Sequence, residues 1–254
     1  MKFAITGKGG VGKTTCAVFL ARAFIKKGYS VLAIDADPDA NLAEAFGYKD
    51  VQSITPISDM KELIQDRTGA SGGYGAMFKL NPQVDDLPDR FCIHIDGVKL
   101  MVVGAIKQGG GGCACPENVL LKNLVQHIFL KRNEIIIMDM EAGIEHLGRA
   151  TAHFVDKLIV VVEPGRRSIE TAQRIKGLAL DIGLETIGVV GNKVRSEKDR
   201  QFMMENLSDF EILGFFPYRD FLIEGDIKGG VPSDLPVEIE EELEAIISKL
   251  LEIA

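Results

Sequence analysis

The chain has 254 residues, 46% of them apolar and 26% charged, with a formal net charge of -8 and a pI of about 5.1. That length and mix suit one soluble α/β domain with a sizeable core. The acidic balance argues against broad nucleic-acid binding, which needs a cationic surface, and no apolar run approaches the ~18 residues of a spanning helix.

In chain order, residues 2–6 read as a short buried strand. Residues 14–27 have helical spacing, with Gly28 placed like a C-terminal cap. A second strand is expected at 31–35, and further strands at 91–95, 99–103, 134–139, 157–163, 186–191 and 211–216. Helical patterns separate most of them, at 117–130, 145–153, 168–181 and 198–206, and a last one covers 237–251. Apolar strands alternating with amphipathic helices predict an α/β fold, a mostly parallel sheet covered on both faces. Asp96-Gly97 between two strands is a hairpin signal, so one antiparallel edge pair is expected. With no repeat or linker, residues 1–254 read as a single domain. Residues 55–90 show no clear periodicity and read as a surface insertion within it. The first motif starts within six residues of Met1 and leaves no room for a signal peptide. A cytoplasmic setting is therefore expected, with Cys16, Cys92, Cys113 and Cys115 reduced.

Gly7-Lys8-Gly9-Gly10-Val11-Gly12-Lys13-Thr14 satisfies G-x-x-x-x-G-K-[ST] and lies between a predicted strand and a predicted helix, where a P-loop must lie. Its glycines let successive backbone N–H groups turn toward a phosphate, and the following helix points its positive end at the same spot. Lys13 is placed for the β- and γ-phosphate oxygens and Thr14 for Mg²⁺, with Gly9, Gly10, Val11, Gly12 and Thr15 completing the ATP or ADP cradle.

The second lysine narrows the resemblance. Lys8-Gly9-Gly10-Val11-Gly12-Lys13-Thr14 resembles the deviant Walker A motif of the MinD, ParA and nitrogenase-iron-protein group of ATPases. The resemblance implies a homodimer in which Lys8 reaches the partner's nucleotide and neutralises charge as ATP is hydrolysed. It also implies that Asp37, in Asp35-Ala36-Asp37-Pro38, activates the attacking water. Asp139, which ends the apolar run from Ile135, resembles the Walker B aspartate that holds Mg²⁺ through a water. Asp139-Met140-Glu141-Ala142-Gly143 resembles switch II. Asn192 resembles the family's base-reading asparagine, and Phe216-Pro217-Tyr218 its purine-contacting loop.

A second segment carries chemistry of its own. Four glycines, Gly109 to Gly112, precede Cys113-Ala114-Cys115-Pro116-Glu117-Asn118. Pro116 suits the first position of a helix and Glu117 its first turn. A helix N-terminus favours the thiolate form of a cysteine, the form that binds metal. One C-x-C supplies two sulfurs where thiolate metal sites usually want four, and a two-fold dimer would supply the other two. The donor set admits Zn²⁺ or Ni²⁺ and does not choose between them. Cys16 and Cys92 read as packing residues, and His94, His127, His146 and His153 show no ligand spacing.

The C-x-C followed by Pro-Glu-Asn is similar to the accessory ATPases that assist nickel insertion into carbon monoxide dehydrogenase. This resemblance implies a dimeric metallochaperone with that enzyme as client. Two other functions stay open at this point. An iron–sulfur electron carrier of the nitrogenase-iron-protein kind takes one cysteine from each of two separated positions, and residues 139–147 contain none. A positioning ATPase on membranes needs a basic amphipathic C-terminal helix, whereas Glu238, Glu240, Glu241, Glu242 and Glu244 make this one acidic. No membrane or nucleic-acid partner is expected.

Overall fold

The computed structural model describes residues 1–70, 77–104, 115–132, 134–144, 152–227 and 229–252. Its sheet has eight strands: β1 (Lys2–Gly7), β2 (Val31–Ala36), β3 (Ile93–Ile95), β4 (Val98–Val102), β5 (Ile135–Met140), β6 (Lys157–Val162), β7 (Ile187–Val194) and β8 (Glu211–Pro217). They lie in the order β3-β4-β2-β5-β1-β6-β7-β8. All neighbours are parallel except β3 and β4, the expected antiparallel pair.

The described helices are α1 (Lys13–Lys26), α2 (Leu42–Ala45), α3 (Lys61–Thr68), α4 (Leu87–Phe91), α5 (Pro116–Lys131), α6 (Arg166–Asp181), α7 (Glu197–Asn206), α8 (Asp220–Ile227) and α9 (Val237–Leu251). Strand pleating divides the core in two. Phe3, Ile5, Ala33 and Ile137 face a layer built by α1 and α9. Ala4, Leu32, Ile34, Ile136 and Met138 face a layer holding α5 and α6. The residues that alternate along each central strand are buried on both sides, which is why these strands read as unbroken apolar runs. Phe3 stacks on Phe24 of α1 at 5.7 Å, and Phe19 meets Phe216 of β8 edge-on at 5.2 Å, fixing α1 across the sheet.

Two expectations need adjustment. The strand predicted at 91–95 is shorter, because Phe91 ends α4, a turn begun with Pro88 in its first positions. Cys92 therefore sits between helix and strand and is partly buried. Residues 55–90 also hold more regular structure than their pattern suggested, since α3 and α4 both lie there. Ile57, Ile64, Val84 and Leu87 are buried in the same cluster as α5. Of the helix expected at 145–153, residues 145–151 lie outside the described residues.

Candidate nucleotide site

The carboxyl ends of β1, β2 and β5 meet where the chain order reverses, the usual position of a ligand crevice in an open α/β sheet. β1 runs directly into the loop Lys8 to Gly12, and α1 starts at Lys13. Gly12 caps the helix at φ +94°, in left-handed backbone, and offers no side chain to the first-turn N–H groups. Those donors are left to face a ligand. A Cβ on Gly12 would lie 2.3 Å from the Asn192 amide nitrogen, so any side chain there would strain the left-handed turn and displace Asn192. Lys13 is almost fully buried, and Thr14 and Thr15 are half-buried beside it.

Facing this cradle, Asp35 and Asp139 end adjacent strands and sit directly opposite each other. Both are buried. Burial, then the charge of Asp35, push the Asp139 carboxyl up to about 7, against the pull of a Thr14 hydrogen bond and the Lys13 charge. Burial pushes Asp35 up to about 6, although its oxygens accept N–H bonds from Leu42 (2.8 Å) and Asp37 (3.1 Å). Asp139 Oδ1 has no hydrogen-bond partner. A buried carboxylate oxygen left bare beside a hydroxyl fits a divalent cation, which Mg²⁺ sites complete with substrate phosphates and waters. The donor set therefore fits Mg-ATP: Thr14 would hold the cation and Asp139 would act from behind it.

The remaining expected residues are distributed as follows. Lys8 pairs with Glu163 of its own chain, its Nζ 3.5 Å from Oε1. Asp37 stands on the loop after β2, half-buried, its Oδ1 accepting from the Asp39 N–H at 3.0 Å. Asn192 is turned against the P-loop: its Nδ2 donates to the Val11 carbonyl at 2.7 Å, and its Oδ1 accepts the Lys193 N–H at 2.9 Å. Pro217 ends β8 and lines a cleft of about 450 Å³ with Arg200, Arg219 and Glu242. The site thus brings together Lys8, the cradle from Gly9 to Thr15, Asp37, Asp139 and Asn192, while Pro217 faces that separate cleft.

Of the cysteine pair, Cys113 lies outside the described residues. Cys115 caps α5, its Sγ accepting the Asn118 N–H at 3.4 Å. Among the described residues, no cluster of three or more His, Cys, Asp and Glu side chains is arranged to hold a metal ion. Burial pushes the Cys16 thiol up to about 12, with Asp139 adding to it, and the Cys92 thiol up to about 11. Both are poor thiolates, consistent with packing roles.

Two residues escaped the sequence reading. The hydroxyl of Thr6, buried in β1, donates to the Gly143 carbonyl at 2.6 Å and accepts the Gly143 N–H at 3.2 Å, tying the P-loop strand to switch II. Glu163 follows β6 and takes both Lys8 and Lys193. Its signal was present: β2, β5 and the run ending at Val162 each lead from apolar residues into a carboxylate.

The chain belongs to the CobQ/CobB/MinD/ParA nucleotide-binding domain family, whose sequence profile matches residues 2–232. Solved structures agree at the level of fold. MinD in the MinC:MinD cell division complex of Aquifex aeolicus superimposes with a TM-score of 0.72 at 22% identity, over 99% of this chain and 96% of that one. Within the family, the chain is a relative of the carbon monoxide dehydrogenase accessory protein CooC of Rhodospirillum rubrum. The two are 46% identical over 254 residues, 99% of this chain and 97% of that protein. An uncharacterised ATP-binding protein of Methanocaldococcus jannaschii is 45% identical over 100% of this chain and 98% of its own length. The family and these relatives together mark an ATP-binding protein of the P-loop class. No described helix is long and apolar enough to cross a membrane.

Proposed function

We propose that the protein hydrolyses Mg-ATP as a homodimer and uses the cycle to bind and hand over nickel, with carbon monoxide dehydrogenase as client. The observation that carries the ATPase reading is the bare Oδ1 of buried Asp139, set against the side-chain-free start of α1. The client is inferred from the likeness to CooC. The metal is inferred from Cys113 and Cys115, with Zn²⁺ as the alternative cargo. Residues 1–254 form one domain in this reading, with 55–90 inserted to meet the client, in the cytoplasm and without membrane or nucleic-acid partners.

Each residue has a task. The first-turn N–H groups and Lys13 grip the β- and γ-phosphates, and Thr14 with Asp139 holds Mg²⁺, which neutralises phosphate charge when bound. Asp37 orients the attacking water. Lys8 of each copy enters the other copy's site, so two nucleotides close one dimer. Asn192 bounds the base. Closure brings both Cys113–Cys115 pairs to the two-fold axis, where four thiolates take one metal ion, the cargo rather than a resident cofactor.

Metal analysis with light scattering on reduced protein tests this, titrating Ni²⁺ or Zn²⁺ with and without Mg-ADP. The expected result is one metal per two chains and a shift from monomer to dimer, both lost in Cys113→Ala/Cys115→Ala while nucleotide still binds. Unchanged metal stoichiometry in the double variant would sink the inter-chain site.

A further inference from the structure

Lys8 does not project freely from the P-loop. Its ammonium lies 3.5 Å from Glu163 Oε1, and Glu163 Oε2 lies 3.5 Å from Lys193 Nζ. We propose that Glu163 is a positioning residue that stows Lys8 against its own chain in the monomer, and that this ion pair must open before Lys8 reaches a second copy's nucleotide. The proposal deepens the reading of Lys8 as a group acting between chains, and rests on it.

Three observations give the carboxylate this task. First, its place is set by the fold. β6 lies beside β1 with Gly7 opposite Val161, so the turn after β6 stands next to the P-loop. The Glu163 N–H donates to the Ser168 hydroxyl at 3.1 Å, fixing that turn at the start of α6. Second, one of its two cations is anchored. Lys193 has left-handed backbone at φ +58°, uncommon for a residue with a side chain and a mark of functional sites. Its N–H is held by Asn192 Oδ1, and its ammonium donates to the Gly10 carbonyl at 2.5 Å. Third, Lys8 has no second hydrogen bond or ion pair of this kind among the described residues, and its side chain is 39% exposed. It is the partner free to leave.

The arrangement makes release inexpensive. A carboxylate stripped of its only cation is costly to leave in a partly buried place. Glu163 keeps Lys193 when Lys8 swings away, so no charge is abandoned. The Lys8 pair is long and half-exposed, and pairs of this kind are weak and salt-sensitive. It can hold a side chain without locking it, and the phosphates of a second copy's nucleotide are a stronger lure.

Sedimentation velocity on the full-length reduced protein with the non-hydrolysable analogue AMPPNP and Mg²⁺ tests the proposal, with analogue affinity measured alongside by calorimetry. Glu163→Gln should tighten the dimer by about twofold to twenty-fivefold, because one exposed pair accounts for about 1.4-fold to fivefold and each dimer opens two. The gain should shrink in high salt. It should vanish when Lys8 is also alanine. Glu163→Asp keeps the charge but withdraws it by one methylene, so it should fall between and guards against a folding defect in the amide variant. A dimer that Glu163→Gln leaves unchanged or weakens overturns the proposal alone. Analogue bound by the wild-type chain with no dimer at any concentration removes the between-chain reading of Lys8, and this proposal with it.

Discussion

At Gly12, two constraints fall on one residue. The backbone is left-handed, and the space where a Cβ would stand is taken by the Asn192 amide nitrogen. Alanine there would carry a strain of about 1–3 kcal/mol and would push Asn192 off the Val11 carbonyl. Gly12→Ala should therefore lose most of its affinity for Mg-ADP, tenfold or more by calorimetry, while its circular dichroism stays that of the parent. Equal affinity in the two proteins would mean that the turn adapts and that the cradle is softer than its geometry implies. Such residues were legible beforehand because the P-loop is a contiguous string whose chemistry depends on local spacing. Thr6 and Glu163 were not, because Gly143 and Lys8, their partners, lie more than 130 residues away in sequence, and Lys193 lies 30 residues beyond Glu163, across α6 and most of β7. A short window along the chain contains neither partner.

At the scale of elements, the central strands and long helices were readable for the same reason that they are stable: each presents a continuous apolar run or stripe to one of the two core layers. The helices α3 and α4 were hidden. They are short and polar, and they are held by single side chains more than by a stripe. The key tie is Arg67 of α3, whose two terminal nitrogens reach Asp86 Oδ1 and Oδ2 at 2.8 and 2.6 Å just before α4 begins. The Arg67 hydrogen bond holds the Asp86 carboxyl below its ordinary value, with Arg90 adding to it. A carboxyl depressed in the folded state stabilises the fold above its ordinary value of 3.8 and gives that contribution up as pH falls through the folded value. Asp86→Asn should therefore lower the urea midpoint at pH 7, by the equivalent of roughly 1 kcal/mol after solvent screening, and lower it by less near pH 2.5. The comparison is between the two proteins at each pH, so general acid destabilisation cancels. An equal deficit at both pH values would point to lost packing rather than a lost ion pair.

For the whole molecule, the decisive question is whether the two sites act on one equilibrium. The nucleotide cradle lies at the carboxyl ends of β1, β2 and β5, whereas Cys115 begins α5, whose residues Leu120, Leu121, Leu124 and Ile128 are packed in the same core layer as Met138 and Met140 of β5. The strand that carries Asp139 is thus in the same packed layer as the helix that carries the thiol. If both ligands favour the closed dimer, linkage requires that each raise the other's affinity by the same factor, typically about fivefold to 150-fold. Nickel affinity should therefore rise in the presence of Mg-AMPPNP, and AMPPNP affinity should rise by an equal factor in the presence of nickel, when calorimetry is run in both orders on reduced protein. Cys115→Ala should remove both increments and leave the nucleotide affinity at its metal-free value. Asp139→Asn should remove them from the other side, with metal still bound at its nucleotide-free strength. Two affinities that each rise by unequal factors would break the thermodynamic cycle and expose a second metal site. Two affinities that do not move at all would leave an ATPase and a thiol pair on one chain with no common switch, and the cycle of loading and release would have to be driven by the client instead.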